Sequence, residues 1–134
     1  MTIGKAWAFQ VAITNLMINT LDDIPVTATV PNPLPPRYCR LDGFQVVPFR
    51  QFKKHDKARH LFIVHLFDAP EGGTDSLSWV KQTAPDVVNA LSEFRLDDQS
   101  ELVMFDSLSV GLEPFGADTK CAHAIMRFSA TIGA

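Results

Sequence analysis

The amino-acid sequence predicts an α+β fold in which two main helices pack on a mostly antiparallel sheet of about four to five strands. Two segments repeat apolar residues every three or four positions, which is the spacing of one helix face. Other segments are nearly continuously apolar or alternate strictly, as strands do. A short joint containing Pro114 and Gly116 links the last two predicted strands and favours an antiparallel hairpin. The predicted order is α-β-β-β-α-β-β.

Length and composition exclude several classes of protein. The chain has 134 residues, 46% of them apolar, and a formal net charge of −3. Such a chain can bury one core without a disulfide or a metal, so we expect a single domain over residues 1–134. The net charge excludes a uniformly basic nucleic-acid binder. No run of eighteen apolar residues and no secretion signal are present, so we expect a soluble protein made in the cytoplasm, with no membrane partner.

The first part of the chain is predicted to contain a helix, a short strand and an extended arm. Helical spacing of apolar residues covers Lys5–Leu21, and Pro25 follows two aspartates that end the helix. Val26–Val30 is rich in β-branched residues and predicts a short strand. Prolines at 31, 33, 35 and 36 cannot donate to a ladder, so we expect a proline-rich arm or loop over about residues 31–43.

This arm has two possible roles. It is either a constrained surface loop or an extended segment that reaches onto a neighbouring subunit. In the second case Arg37, Tyr38 and Arg40 are the candidate anchors, because Arg and Tyr are enriched at interfaces. The sequence alone leaves both roles open.

The second part of the chain alternates strands with one helix. Apolar residues at helical spacing predict a helix over about Asp75–Phe94, and Pro85 within it predicts a kink or a break into two short helices. Strict alternation in the last segment places Ala122 and every second residue to Ile132 on a core face, with His123 and its alternates on a wetter face. The predicted strands are Phe44–Phe49, Arg59–Asp68, Leu102–Leu112 and Thr119–Ile132.

A cationic segment, Arg50–His60, lies between two predicted strands. Five cations and one anion, Asp56, give it a charge of +4, so the rest of the chain carries −7. It is either a solvated loop or a contact for a polyanion or an acidic patch on a neighbouring copy. Opposite charge poles on one small subunit suit head-to-tail contacts, which close into rings when the rotation allows. The candidate contact residues are Arg50, Lys53, Lys54, Lys57 and Arg59.

No pattern indicates a catalytic or metal site, and we expect no cofactor. The sequence contains no nucleophile elbow, no phosphate-binding glycine loop and no zinc-protease motif. Gly72 and Gly73 precede a helix, but Glu71 and Asp75 beside them would repel an anion. The carboxylate pairs at 22–23 and 97–98 fall at predicted element ends, where acidic residues serve turns and caps.

Histidine, cysteine and tryptophan residues also have structural interpretations. His60 and His65 are five apart on a strand and so face opposite sides. A site combining His65, His123 and Cys121 would need a strand pairing that the sequence does not reveal, so we expect histidines hydrogen-bonded in or beside the sheet. Cys39 and Cys121 are expected to be free, packed thiols, and Trp7 and Trp79 to be core or subunit contacts.

Several segments resemble the tail-completion or tail-terminator proteins of long-tailed bacteriophages and gene-transfer particles. The resemblance covers about Ala6 to Ile132 and consists of hydrophobic patterns with few fixed polar residues. Its more telling part follows His60 and runs from the strand through a glycine-containing turn into the second helix and the final hairpin. The segments that carry it are His60–Phe67, Val87–Leu91, Leu102–Leu108 and Ala122–Ala130.

This resemblance implies a structural role without catalytic residues. It implies a homo-oligomeric ring, expected to be a hexamer, that caps the finished tail tube and joins it to the head connector or another neck protein. The protein would then belong to the virion tail or neck and be assembled in the host cytoplasm. The cationic segment is expected to face passing DNA in the lumen or an acidic partner ring. The alternatives are another neck component, such as a head-completion or adaptor protein, and a small ligand-binding or enzymatic α+β domain.

Overall fold

A computed structural model describes residues 2–48, 57–69, 77–115 and 119–133 and confirms the α+β fold class and the order of its elements. The sheet is mixed but mostly antiparallel. No helix in these ranges is long and apolar enough to cross a membrane. A 3-10 turn (Thr2–Lys5) precedes the following elements: α1 (Ala6–Thr20), β1 (Val26–Thr27), β2 (Arg37–Pro48), β3 (Ala58–Asp68), α2 (Leu77–Ser92), β4 (Met104–Phe115) and β5 (Thr119–Ile132).

The strands form one five-stranded sheet in the order β1-β2-β3-β5-β4. Only β1 and β2 are parallel, whereas β2–β3, β3–β5 and β5–β4 are antiparallel. The last two strands form the predicted hairpin, with Leu108 opposite Met126. Within the described residues, β4 is therefore one edge of the sheet. The other edge is β1, which pairs only with Cys39 and Arg40 of β2.

Both helices pack on the same face of the sheet, called here the helix face; the other is the open face. The alternation predicted for β5 is confirmed, because Ala122, Met126 and Phe128 are buried on the helix face. Full burial of one large apolar side chain stabilises the fold by about 1.5–3 kcal/mol. The helices contribute Phe9, Ile13, Met17, Val80, Ala84, Val87 and Leu91 to this core, and β3 contributes Phe62, Val64 and Leu66.

The proline-rich arm is shorter than the sequence predicts. A loop over residues 31–43 is wrong beyond Pro36, because β2 begins at Arg37 and its first half pairs in register with β3. This half alternates: Cys39 and Leu41 point into the core, while Arg40 and its alternates face the other side. At Gly43 the backbone has a φ of 66° and the register shifts, so a bulge divides the strand.

The second helix is continuous through Pro85, so the alternative of two short helices is wrong. Pro85 is exposed and lies between two buried residues of the helix, Ala84 and Val87. The ring therefore points to solvent, and the apolar face packs without interruption. This packing maintains the helix although proline removes one backbone hydrogen bond.

Candidate functional site

The predicted cationic segment is described only at its end. Lys57 is exposed just before β3, and Arg59 lies on the open face of β3. The Nη2 atom of Arg59 is 3.3 Å from Oγ of Ser129 and 4.0 Å from a carboxylate oxygen of Asp106. Arg59 is therefore already bound to the β5–β4 side of its own sheet. Three of the predicted contact residues, Arg50, Lys53 and Lys54, lie outside the described residues.

The proposed arm anchors do not form one group. The Arg37 side chain lies near α2, with its guanidinium 5.1 Å from the centre of the Trp79 ring. Its Nε atom is 3.3 Å from Oδ1 of Asp68, which is an ion pair without hydrogen-bond geometry. The Arg37 guanidinium thus stabilises a buried carboxylate between β2 and β3. Its side chain is half-exposed.

Tyr38 and Arg40, the other two anchors, lie together on the open face around Phe67. The rings of Tyr38 and Phe67 stack with centres 4.6 Å apart, and the Arg40 guanidinium is 5.3 Å from the Phe67 centre. Tyr38 is only 6% exposed, and its burial raises the pKa of its hydroxyl. The Tyr38 ring is therefore part of a packed stack and offers little surface to a partner.

A row of four titratable side chains crosses the open face. Oδ1 of Asp42 on β2 is 2.9 Å from Nε2 of His65 on β3. Nδ1 of His65 is 2.8 Å from Nε2 of His123 on β5, and Nδ1 of His123 is 2.6 Å from Oε1 of Glu113 on β4. Both imidazoles are buried, whereas the two carboxylates at the ends reach solvent. We call this set the histidine row.

The number of contacts fixes the number of protons in the histidine row. Three hydrogen bonds need three protons, but two neutral imidazoles carry only one N–H proton each. A third proton must therefore reside on an imidazole or a carboxyl, since two acceptors without a proton repel each other at these distances. At one end of the row, Nε of Arg40 lies 3.1 Å from Oδ2 of Asp42 and forms an ion pair with it.

Burial favours the neutral form of His65. The pKa of His65 is lowered, first because burial disfavours its charged form and further because Arg40 and His123 are close. The hydrogen bond and the charge of Asp42 oppose this effect. A neutral His65 donates its Nε2 proton to Asp42 and accepts a proton from His123.

Neither free thiol of the chain is activated as a nucleophile. Cys121 is buried and belongs to the stack of Tyr38 and Phe67, and its burial raises its pKa. Cys39, on the helix face, has a pKa raised by burial to about 12. Both are free cysteines, as predicted, and each holds its proton at neutral pH. Within the described ranges, no three His, Cys, Asp or Glu side chains lie close enough to hold a metal ion.

The sequence analysis missed the histidine row, although its expectation of histidines hydrogen-bonded beside the sheet is confirmed for His65 and His123. These two residues are 58 positions apart, and Asp42 is another 23 from His65. Only the pairing of β2, β3, β5 and β4 brings them together. The one available signal is that His123 alternates with the apolar face of β5, which places it on the open face.

Two apolar surfaces are exposed in the part of the chain that the structure describes. On α1, three residues spaced along one stripe, Trp7, Val11 and Ile18, are exposed, Trp7 by 72%. The helix is apolar on nearly all sides, although such a helix is normally buried. Trp7 is therefore not a core residue, and its other predicted role, a subunit contact, stays a prediction.

The second uncovered surface is β4. It has no partner on its outer side among the described residues, and Leu108 and Leu112 are 44% and 46% exposed on the helix face. Phe105 and Met104 are exposed at the beginning of the strand. Charges, prolines and bulges commonly protect an edge from pairing, and those of β4 lie near its two ends, so that Ser107–Leu112 contains neither a charge nor a proline. This edge is suited to association.

Two grooves lined by described residues are open at the surface and do not resemble an enclosed active site. The larger of two grooves has a volume of about 440 Å³ and opens on the open face between β2, β3 and the β5–β4 hairpin. Arg59, Asp106 and Arg127 line it together with apolar residues. A second groove of about 300 Å³ lies beside Leu102 and Met104. Both are partly open to solvent.

Comparison with known proteins defines the fold class. No family model and no curated protein matches the chain. Among nineteen matching chains of solved structures is one from the virion of a native gene transfer agent particle. It shares 17% identity, with a TM-score of 0.67, over 93% of this chain and 94% of the other. The chain therefore has the same fold as that virion chain over almost its whole length.

Proposed function

We propose that this protein is a structural component of a virion or gene transfer particle, where it forms a ring that ends the tail tube and joins it to the head. The observation that carries the proposal is the fold shared with a gene transfer agent virion chain along almost the full length of both. The resemblance of His60–Phe67 and the final hairpin to tail terminators supports the same role. We expect the ring to be a hexamer.

The surface of the subunit supports an assembly role. Large apolar side chains on α1 and β4 are exposed, although exposure of such groups costs free energy unless a partner covers them. The thiols are protonated, and the grooves are open, so the geometry favours binding over nucleophilic chemistry. We infer that the protein is not an enzyme. Its partners are further copies of itself, the tail-tube protein and a head connector or neck protein.

The mechanism is geometric. A ring that binds the last ring of the tail tube occupies the surface on which the next tube ring would add, so polymerisation stops. Its opposite side then presents a new surface to the neck. The cationic segment Arg50–His60 contacts DNA passing through the lumen or an acidic partner ring, because Lys and Arg bind both without sequence readout.

Deletion of the gene tests this function in the organism that makes the particles. We expect tail tubes longer than normal and heads without tails, measured by negative-stain electron microscopy, and normal particles after complementation. Complementation with the triple variant Lys53→Glu, Lys54→Glu, Lys57→Glu should restore tail length but not head joining, because its charge reversal affects the cationic contact only. Lys81→Glu, on the exposed side of α2, is the matched control.

Normal tails attached to heads after deletion would rule out the proposed function. Tails of normal length without heads would instead favour another neck component, such as a head-completion or adaptor protein. Restoration of head joining by the triple variant would show that the cationic segment has no role in joining.

A further inference from the structure

The structure contains two unpaired strand edges at opposite ends of one sheet. The first is the outer side of β4, which runs over Met104–Phe115. The second is the distal half of β2, from Leu41 to Pro48, because β1 covers only Cys39 and Arg40. No backbone group among the described residues pairs with the outer side of either segment.

The strand directions make these two edges compatible. β2 and β5 run in one direction, and β3 and β4 run in the other, since each neighbouring pair is antiparallel. A second copy placed beside β4, with its helices on the same side, therefore brings its β2 antiparallel to β4. Antiparallel addition gives the more stable hydrogen-bond pattern. Every copy can then repeat the same contact, as a ring requires.

The chemical character of the two faces also agrees. On the helix face, Phe44 and Val46 of β2 are partly buried and apolar, like Val110 of β4. On the open face, Gln45 of β2 would meet the Ser109 side of β4. α1 packs over the β1–β2 end of the sheet. The copy that contributes β2 to the junction therefore places its α1 beside Leu108 and Leu112 of the copy that contributes β4.

Charge disfavours the other simple arrangement, a two-fold pairing of β4 with β4 of a second copy. When the strand pairs with itself in full antiparallel overlap, Asp106 lies opposite Glu113, and the symmetry repeats this contact. Like charges directly opposite each other destabilise a strand pair. The distal β2 segment carries one charge, Asp42, which already pairs with Arg40 and His65 of its own chain.

We propose that β4 of one copy pairs antiparallel with the distal half of β2 of the next copy, so that one continuous sheet runs around the ring. The proposal rests on the ring function above and assigns the contact that forms it. The occupant of the β4 edge is thus a second copy of this chain, in a head-to-tail arrangement.

Site-directed crosslinking in purified particles tests this contact. The double variant Gln45→Cys, Ser109→Cys, treated with a short bismaleimide that tolerates a shift of two residues, should give a ladder of covalent multimers on denaturing gels. The native thiols are buried and protonated, so the wild-type chain should give none. In the matched control Gln45→Cys, Asn89→Cys, the second cysteine lies on the exposed side of α2 and should give no ladder.

The other outcomes contradict the proposal in different ways. Dimers from Ser109→Cys alone would show the two-fold pairing of β4. A ring visible by electron microscopy that gives no ladder with the double variant would overturn the strand contact and leave the ring function intact. Absence of the protein from the particles would overturn both.

Discussion

At the residue scale, the histidine row shows that strand pairing can bring together polar side chains that no local sequence pattern predicts. Each imidazole is buried, yet each makes hydrogen bonds on both sides, so the desolvation of the ring is partly compensated. The row links β2, β3, β5 and β4 across the open face. Its protonation should therefore affect the stability of the sheet.

The pKa of His65 gives this dependence a direction. Its pKa is lowered in the folded protein, first by burial, from an ordinary value of 6.5 in the unfolded chain. Below that pH the unfolded chain binds the proton more readily than the folded one. The contribution of neutral His65 to the free energy of unfolding is therefore complete above the ordinary pKa and is lost as the pH falls below it.

Asp42→Asn should increase this acid sensitivity. The variant removes the carboxylate that raises the pKa of His65 against the effect of burial, so the protonation of His65 should move to lower pH. Titration of the imidazole nitrogens by NMR measures the shift, and urea unfolding at several pH values measures the larger loss of stability in acid. Asp86→Asn, an exposed residue on α2, should leave both unchanged. A titration of His65 unaffected by Asp42→Asn would contradict the role assigned to Asp42.

At the scale of elements, the sequence predicts best those segments that pack on one side. β5 is predicted to its ends, because six alternate positions from Ala122 to Ile132 are all apolar and all face the helices. The start of β2 is not predicted, because its open face carries Tyr38, Arg40 and Asp42, whose partners come from distant strands. Four prolines just before it make the segment resemble a loop.

Substitution of Pro85 tests the account of α2. Because the ring is exposed and removes a backbone hydrogen bond, Pro85→Ala should stabilise the protein by about 1–3 kcal/mol. Urea denaturation monitored by circular dichroism measures this change. The matched control Asp86→Ala should change the stability by about 0.5 kcal/mol or less. A destabilised Pro85→Ala variant would show that the proline makes a favourable contact that the helix geometry does not explain.

The edges of the sheet show the limit of prediction at this scale. A local pattern predicts that a strand exists, but its place in the sheet depends on pairing with distant segments. The sequence therefore predicted the β4–β5 hairpin, whereas it could not show that β4 is an edge or that Leu108 and Leu112 are exposed there. The α1 stripe is missed for a related reason: a helix apolar on nearly all sides looks like a core helix.

At the scale of the whole molecule, the subunit has the features of a part in a larger assembly. It carries uncovered apolar groups on α1 and β4, and its two sheet edges have complementary directions. The fold matches that of a gene transfer agent virion chain across nearly the full length of both. In the proposed ring, neighbouring copies would cover these surfaces.

The ring at the head–tail junction is tested most directly by a cryo-electron microscopy reconstruction of the tailed particles made by the organism that carries this gene. We expect density for a closed ring of its copies at the junction between the last tail-tube ring and the neck, with the helix and sheet positions described above. A reconstruction in which the chain lies elsewhere in the particle, or is absent from particles that have complete tails, would contradict the account.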